Sequence, residues 1–457
     1  MRPPNPVSWH SVWCRRRDAP HHPVQHPSQG MEQDAPSGYL ELIRSNRDFR
    51  LLWLGDVISL LGDWFNTIAI YTLIEQLTGS PFALGLVFVI KMGSYALASP
   101  LAGVIADRTN RRRLMIGADL LRSVVVLGFL AVDGVDDLPL LYVLMALQIA
   151  IGSVFRPARS ASLPNVAPGP QLVTANALMA ATWSSVLALG AGAGGLVTGW
   201  LGVDAVFFID AATYLVSASL LWRATIPQPS LSEGGPREPL HRVAWRQTVA
   251  GWRYLLSHPP VARMALAKSF WGSGGAAMVY MLALLGGELG ASSEAVGIGL
   301  LFSARGLGTG LGPVVGRALL REQRRWPLAM GACVLVSGLV YSATGWMAWT
   351  LWIILPIVVA HALSGANWVF STVLLQTRAE DAFRGRVFAT EWLILTLSNV
   401  VTITLASLLL EHKLLTLRQA LLSFSAVMVV AGLCWLLIVV PAERRASPQS
   451  VHTPRPL

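Results

Sequence analysis

Apolar residues in this chain gather into blocks of lipid-crossing length, set apart by short polar gaps. They occupy residues 51–73, 82–106, 114–132, 138–155, 172–196 and 203–222. After a long polar stretch follow 262–285, 295–316, 328–345, 351–372, 387–410 and 415–440. A helix needs about 20 apolar residues to cross about 30 Å of hydrocarbon, and each block approaches that length. The pattern predicts an all-α membrane protein of about twelve transmembrane helices in two six-helix bundles. Its expected divisions are a tail over 1–48, a first bundle over 49–222, a linker over 223–262, a second bundle over 263–440 and a closing tail over 441–457.

Composition supports lipid as the solvent: 53% of residues are hydrophobic and 13% charged, against about 25% charged in soluble domains. The net charge of +10 raises nucleic acid as a partner. Lysine, however, stands only at 91, 268 and 413, and the arginines form no stripe interleaved with aromatics. They concentrate instead after even-numbered blocks, as at Arg108, Arg111, Arg112 and Arg113, then Arg156 and Arg159, then Arg384 and Arg386. Gaps after odd-numbered blocks carry acids such as Asp133, Asp136, Glu288 and Glu294. Positive residues mark the cytoplasmic side, so both termini are expected there, in a multi-pass protein of the plasma membrane. Nucleic-acid binding is excluded.

Cys14, Cys333 and Cys434 lack metal-ligand spacing and read as separate thiols, so no metal or cofactor is expected. The first ~30 residues, rich in Pro, Arg and His, lack the apolar core of a signal peptide. They read as a bland tail, as a metal-binding tail, or as residues upstream of a true start at Met31. In the linker, Trp245, Val249, Trp252 and Leu256 recur at helical spacing while Arg242, Arg246 and Arg253 face elsewhere. That pattern fits a helix lying on the cytoplasmic membrane surface; an ordinary soluble linker helix is the alternative.

The most informative segment follows the second block: Gly103-Val-Ile-Ala-Asp107-Arg108-Thr-Asn110-Arg111-Arg112-Arg113. Gly103 permits close helix approach, and Asp107 stands ready for charge-assisted pairing with a neighbouring helix. This order resembles the signature loop of the major facilitator superfamily. It departs at Asn110, where the family usually has glycine, although asparagine also tolerates a left-handed turn. Asn46-Arg47-Asp48-Phe49-Arg50, Thr78-Gly79-Ser80-Pro81, Phe155-Arg156-Pro157-Ala158-Arg159 and Arg384-Gly385-Arg386-Val387 look like the branch containing macrolide-efflux proteins and the enterobactin exporter. By that resemblance, Asp107 and the following arginines form a latch stabilising the outward-open state, with Arg156, Arg159, Arg384 and Arg386 as partners. The matching position in the second half, Gly312 to Arg317, lacks the acid, so the inferred latch is asymmetric. The fifth block's Gly190, Gly194, Gly195 and Gly199 resemble the glycine-rich motif of the family's exporters without its proline, which favours export; plain helix packing is the alternative.

Ionisable side chains inside a membrane are costly and must face protein or water. Asp56, Ser59, Asp63, Asn66 and Thr67 form one polar stripe on the first block, which should therefore line a cavity. Asp63, nearest the middle, is either a proton-titrating carboxylate or the structural partner of a cation. Lys91, Arg305, His361 and Glu391 are further substrate or proton-coupling candidates, with Glu391 or Asp63 as the expected partner of Arg305. Asp119 and Arg122, one turn apart, should pair structurally, and Trp64, Trp183, Trp271, Trp368 and Trp392 offer faces to an apolar cargo.

The expected function is secondary transport by a monomer: proton-coupled efflux of a drug-like, macrolide-like or siderophore-like small molecule by alternating access. An importer or lysophospholipid flippase of the same fold and a non-transporting membrane sensor or scaffold are the alternatives. Walker A, HExxH and GxSxG sequences are missing, so an enzyme is not expected.

Overall fold

The computed structural model describes residues 38–228 and 240–446, which form helices joined by short connections. The tails and the middle of the linker, including Cys14, the His-rich stretch and Met31, lie outside the described residues. A short α1 (Tyr39–Ser45) leads into α2 (Arg47–Thr78), whose start is capped by the Asn46 side chain accepting from Phe49 N. Gly79 ends α2 in a left-handed conformation at φ 56°, which glycine adopts without strain. Ser80 then caps α3 (Pro81–Arg108), with Pro81 at its first turn. The Thr-Gly-Ser-Pro motif thus stops one helix and starts the next.

The first half continues with α4 (Arg111–Leu127), α5 (Leu138–Gly152), α6 (Phe155–Val166) and α7 (Pro170–Arg223). Two boundaries differ from the sequence expectation. The arginines after the fourth block lie on α6, a helix rather than a loop. The fifth and sixth blocks run together as α7, 54 residues long. At 1.5 Å per residue such a helix would measure about 80 Å, far beyond one bilayer. Gly202, at φ 83°, turns the chain back and makes two crossings of it. The second half comprises α9 (Pro259–Gly287), α10 (Glu294–Leu319), α11 (Trp326–Trp346), α12 (Ile354–Arg378), α13 (Asp381–Glu411) and α14 (Leu417–Cys434), with α8 (Leu240–Ser257) before it and α15 (Val440–Ala446) after it.

Large apolar side chains cover the outer surface: Leu189, Trp200, Trp222, Trp346, Trp352 and Leu437 are all exposed. Monomeric soluble proteins rarely expose contiguous apolar surface on that scale, and lipid is the solvent it suits. The helix α8 carries Trp245 and Leu256 outward and docks through Gly251, whose added Cβ would meet the Arg386 carbonyl oxygen at 2.6 Å. Tyr254 stacks on Phe383 at 4.7 Å and its hydroxyl accepts from Glu380 N at 3.1 Å.

The halves meet where α7 packs on α10 and α3 on α13. Gly190 and Gly194 face α2, where a Cβ would stand 3.2 Å from Trp64 Cβ and 2.9 Å from Phe65 Cα, respectively. Gly195 and Gly199 face α10, at 2.5 Å from the Ala295 carbonyl oxygen and from Ser293 Oγ. One glycine-rich segment therefore serves two partners on two faces.

Candidate functional site

Between the halves lies a cavity of about 660 Å³. At the acidic-loop end it is shut. There Ser80 Oγ donates to Glu411 Oε2 at 2.7 Å, Phe82 N donates to the same oxygen at 3.1 Å, and Tyr280 Oη donates to the Pro81 carbonyl at 2.7 Å. Towards the arginine-rich end the halves part. Nothing lies within 4 Å of a Cβ built on Gly103 or Gly385. The close approach expected at Gly103 is thus not made in this structure, because the cavity opens at that end. Nor is Asn110 left-handed: at φ −68° it caps α4, its side chain accepting from Arg113 N.

The α2 stripe faces the cavity. Asp56, Ser59, Asp63, Asn66 and Thr67 all line it, and side chains from α3, α4, α6 and α7 hold them. Arg159 on α6 donates to Asp56. Arg122 on α4 donates to Asp119 Oδ1 at 2.5 Å and to Ser59 Oγ at 3.2 Å, and stands 3.6 Å from Asp63 Oδ1. The Tyr214 hydroxyl donates to Asp63 while accepting from Gln148 Nε2 at 3.0 Å, and the Arg122 guanidinium lies 4.2 Å over the Tyr214 ring. Behind this layer, Asn66 Nδ2 donates to Asp210 Oδ2 at 2.8 Å, and Ser217 Oγ donates to Asp119 Oδ2 at 2.7 Å. Asp63 and Asp119 converge on Arg122, and Asp210 packs behind them with Asn66 and Thr213. Gly62 makes this packing possible, since a Cβ there would stand 2.3 Å from Asp210 Oδ1.

In the second half, Glu391 on α13 is paired with Lys268 on α9 at 2.9 Å, and both are buried. Lys268 lies 4.5 Å over the Trp368 ring, which meets Trp392 edge-on at 5.6 Å. The expected partnership of Arg305 with Glu391 or Asp63 is not made: Lys268 takes the first, while Tyr214 and Arg122 hold the second. Lys91 donates to Thr67 Oγ1 at 2.8 Å. His361 is buried and hydrogen-bonded to the Tyr341 hydroxyl at 2.7 Å, away from the cavity lining. Asp210, Tyr214 and Lys268 were missed by sequence reasoning. Asp210 and Tyr214 lie one turn apart on α7 in a stripe with Thr213 and Ser217 that periodicity could have found, whereas Lys268 takes its meaning only from Glu391 on another helix.

At the arginine-rich end, Arg111 donates to the Ala161 carbonyl at 2.7 Å and Arg112 Nε to that of Leu221 at 3.0 Å, tying α4 to α6 and α7. Arg384 donates to Asp381 at 2.7 Å and Arg386 lies 5.0 Å over the Phe383 ring. Asp107 is exposed, and no ion pair joins it to Arg156, Arg159, Arg384 or Arg386. The latch candidates are therefore separated while this end of the cavity is open.

Two bundles of lipid-length helices around one charged cavity, shut at one end and open at the other, define a membrane transporter. Residues 52–401 match the Major Facilitator Superfamily, and the chain belongs to that family. It is 28% identical over 405 residues to an uncharacterised transporter of this type from Mycobacterium tuberculosis, covering 84% of this chain and 89% of that one. It is 27% identical over 357 residues to the enterobactin exporter of Shigella boydii, covering 76% of this chain and 82% of that one. Among solved structures it resembles the nucleoside transporter NupG, with a TM-score of 0.66 at 13% identity over 85% of this chain and 99% of that one. A bacterial homologue of the lysosomal transporter Spinster gives a TM-score of 0.63 at 17% identity, over 87% and 97%.

Proposed function

We propose that this transporter exports a moderately large, partly apolar compound by alternating access, driven by protons entering at Asp63. The arginine-rich end is cytoplasmic by the positive-inside rule. The cavity then opens to the cytoplasm, with both termini and the α8 surface helix on that side of the plasma membrane. One observation carries the coupling assignment. The Asp63 side chain is 36% accessible from the cavity, whereas Glu391 is 1% accessible and neutralised by Lys268. A proton must reach its site, and of the two lining carboxylates Asp63 is the more open, at 36% against 11% for Asp56.

Protonation of Asp63 removes one of the charges holding Arg122, which leaves that arginine to Asp119. The first bundle's polar layer then has two charge states, and the bundles rock between inward and outward openings as one replaces the other. Closing the arginine-rich end brings Asp107 towards Arg384 and Arg386, where it pairs with them as the latch. The likeness to an enterobactin exporter supports export over import.

The test is flux in proteoliposomes loaded with a panel of aromatic drugs and siderophores, with and without an imposed pH gradient. Export should follow the gradient in the native chain, and Asp63→Asn should transport without responding to it. Gradient-driven export by Asp63→Asn, or equal export without any gradient, sinks the coupling assignment. Uptake in place of export restores the importer reading.

A further inference from the structure

Three cations lining the cavity have no carboxylate among the described residues: Arg156, which is exposed, and two that are not, Lys91 and Arg305. Lys91 on α3 belongs to the first bundle and Arg305 on α10 to the second, and both line the cavity. Lys91 Nζ lies 5.6 Å over the Tyr71 ring, and the Arg305 guanidinium lies 5.7 Å over the Phe302 ring. Those two rings are themselves 5.6 Å apart. The cations thus stand on either side of one aromatic pair that spans the junction of the bundles. Lys91 donates only to the Thr67 hydroxyl, and no hydrogen bond or ion pair joins the Arg305 guanidinium to any described residue.

The acids nearby are already engaged. The lining carboxylates are Asp56 and Asp63, against five lining cations, Lys91, Arg122, Arg156, Arg159 and Arg305. Asp56 is taken by Arg159, and Asp63 by Tyr214 and Arg122. Asp119 and Asp210 lie behind the wall with their own partners. On the second bundle's wall Arg305 is the one ionisable lining group among the described residues, since Glu391 and Lys268 neutralise each other deeper in. A buried or half-buried cation requires a counter-charge, and like charges facing one space repel. The missing negative charge must come from what fills the cavity.

We propose that the cargo is an anion: an amphiphile carrying a carboxylate, sulfonate, phosphate or ionised phenol. Its oxygens accept from Lys91 and Arg305 together, and its apolar part lies against Trp64, Trp183 and Trp392. Arginine's planar fork suits such oxyanions in pairs and the lysine ammonium serves as a point charge. The assignment rests on the reading of this cavity as the transport site, and it narrows that reading by charge. A cationic drug would meet repulsion at both positions.

The test uses the full chain in nanodiscs of zwitterionic lipid and three probes of matched shape: naphthalene-2-sulfonate, 2-naphthylmethylammonium and 2-naphthylmethanol. Binding is measured by calorimetry against empty discs. The sulfonate should bind at least about tenfold more tightly than the ammonium. Lys91→Gln and Arg305→Gln should each weaken the sulfonate about tenfold, as expected for losing a charged hydrogen bond, with little effect on the alcohol. Arg305→Lys should keep most of the preference. Raising salt should weaken the sulfonate and leave the alcohol unchanged, a readout that needs no variant to fold. Sulfonate that binds no better than the ammonium, or no better than to empty discs, overturns the proposal, as does a preference that survives the double substitution. Selective sulfonate binding without flux in proteoliposomes would overturn the transport reading alone. Gradient-driven export of ammonium compounds unaffected by either substitution would overturn the anion assignment alone.

Discussion

Gly195 of α7 and Gly299 of α10 lie backbone against backbone: a Cβ on Gly195 would stand 2.9 Å from Gly299 Cα. Each belongs to a different half, so their contact brings the bundles together near the shut end of the cavity. A side chain at either position must push helices apart, because the obstruction is main chain and cannot rotate away. We expect Gly195→Leu to open the acidic-loop end. Cysteines placed at Ser80 and Glu411, whose native side chains are hydrogen-bonded at 2.7 Å, report this by cross-linking once Cys14, Cys333 and Cys434 are replaced. Cross-linking should be efficient with the native glycine and fall sharply once Gly195→Leu is added. Unchanged yield would mean that the bundles do not close at this contact.

The buried Lys268–Glu391 pair makes a prediction about stability. Removing one member of a buried ion pair strands the other, at a cost of about 3–5 kcal/mol. Replacing both by apolar side chains is often neutral. Glu391→Gln should therefore lower the melting temperature in detergent, Lys268→Met should lower it comparably, and Lys268→Met with Glu391→Met should recover most of the loss. Buried Cys333 supplies the readout, since a thiol-reactive dye labels it only on unfolding. A double variant as unstable as the sum of the singles would rule out this pairing.

The lipid-crossing helices were legible in the sequence because apolar length alone specifies them. The α2 stripe was legible for a related reason, since Asp56, Ser59, Asp63 and Asn66 repeat within one helix and its period reveals the face. Asp210, Thr213, Tyr214 and Ser217 repeat on α7 in the same way, so that face was open to the same reading; what period cannot supply is their pairing with Asp63 and Asn66, 151 and 144 residues away. The wrong partner for Arg305 has the same origin. Charge matching offered Glu391, but packing puts Lys268 nearer to it. The break in α7 was legible as the gap between blocks 172–196 and 203–222, where Gly202 takes the one positive φ inside that helix.

Orientation can be tested at two glycines that face open space, Gly103 and Gly385. A cysteine at either position should disturb nothing in this structure. In a background lacking the native cysteines, a membrane-impermeant maleimide should label Gly103→Cys and Gly385→Cys in inside-out vesicles and not in intact cells. Labelling only from outside the cell would invert the topology and remove the basis for export. A slower reaction at both positions when the cavity is opened to the other side would show that Asp107 and the arginines near it close over this end.

Arg122 touches more of the cavity's polar layer than any single carboxylate does. It donates to Asp119 and Ser59, lies 3.6 Å from Asp63 and rests on the Tyr214 ring. A lysine has the same charge but lacks the planar fork that serves several acceptors at once. Hydrogen bonds to charged groups contribute about 1.5–3 kcal/mol each, so losing one of them is enough for roughly a tenfold loss of transport. Arg122→Lys should therefore fold, as judged by the melting assay, yet lose most flux, while Arg122→Gln should lose both. Tyr214→Phe removes one donor to Asp63 and keeps the ring under the guanidinium; it should retain the fold and change how export depends on pH. If Arg122→Lys transports at the native rate, net charge is all that the position supplies, and the fork geometry around Asp63 has no part in coupling.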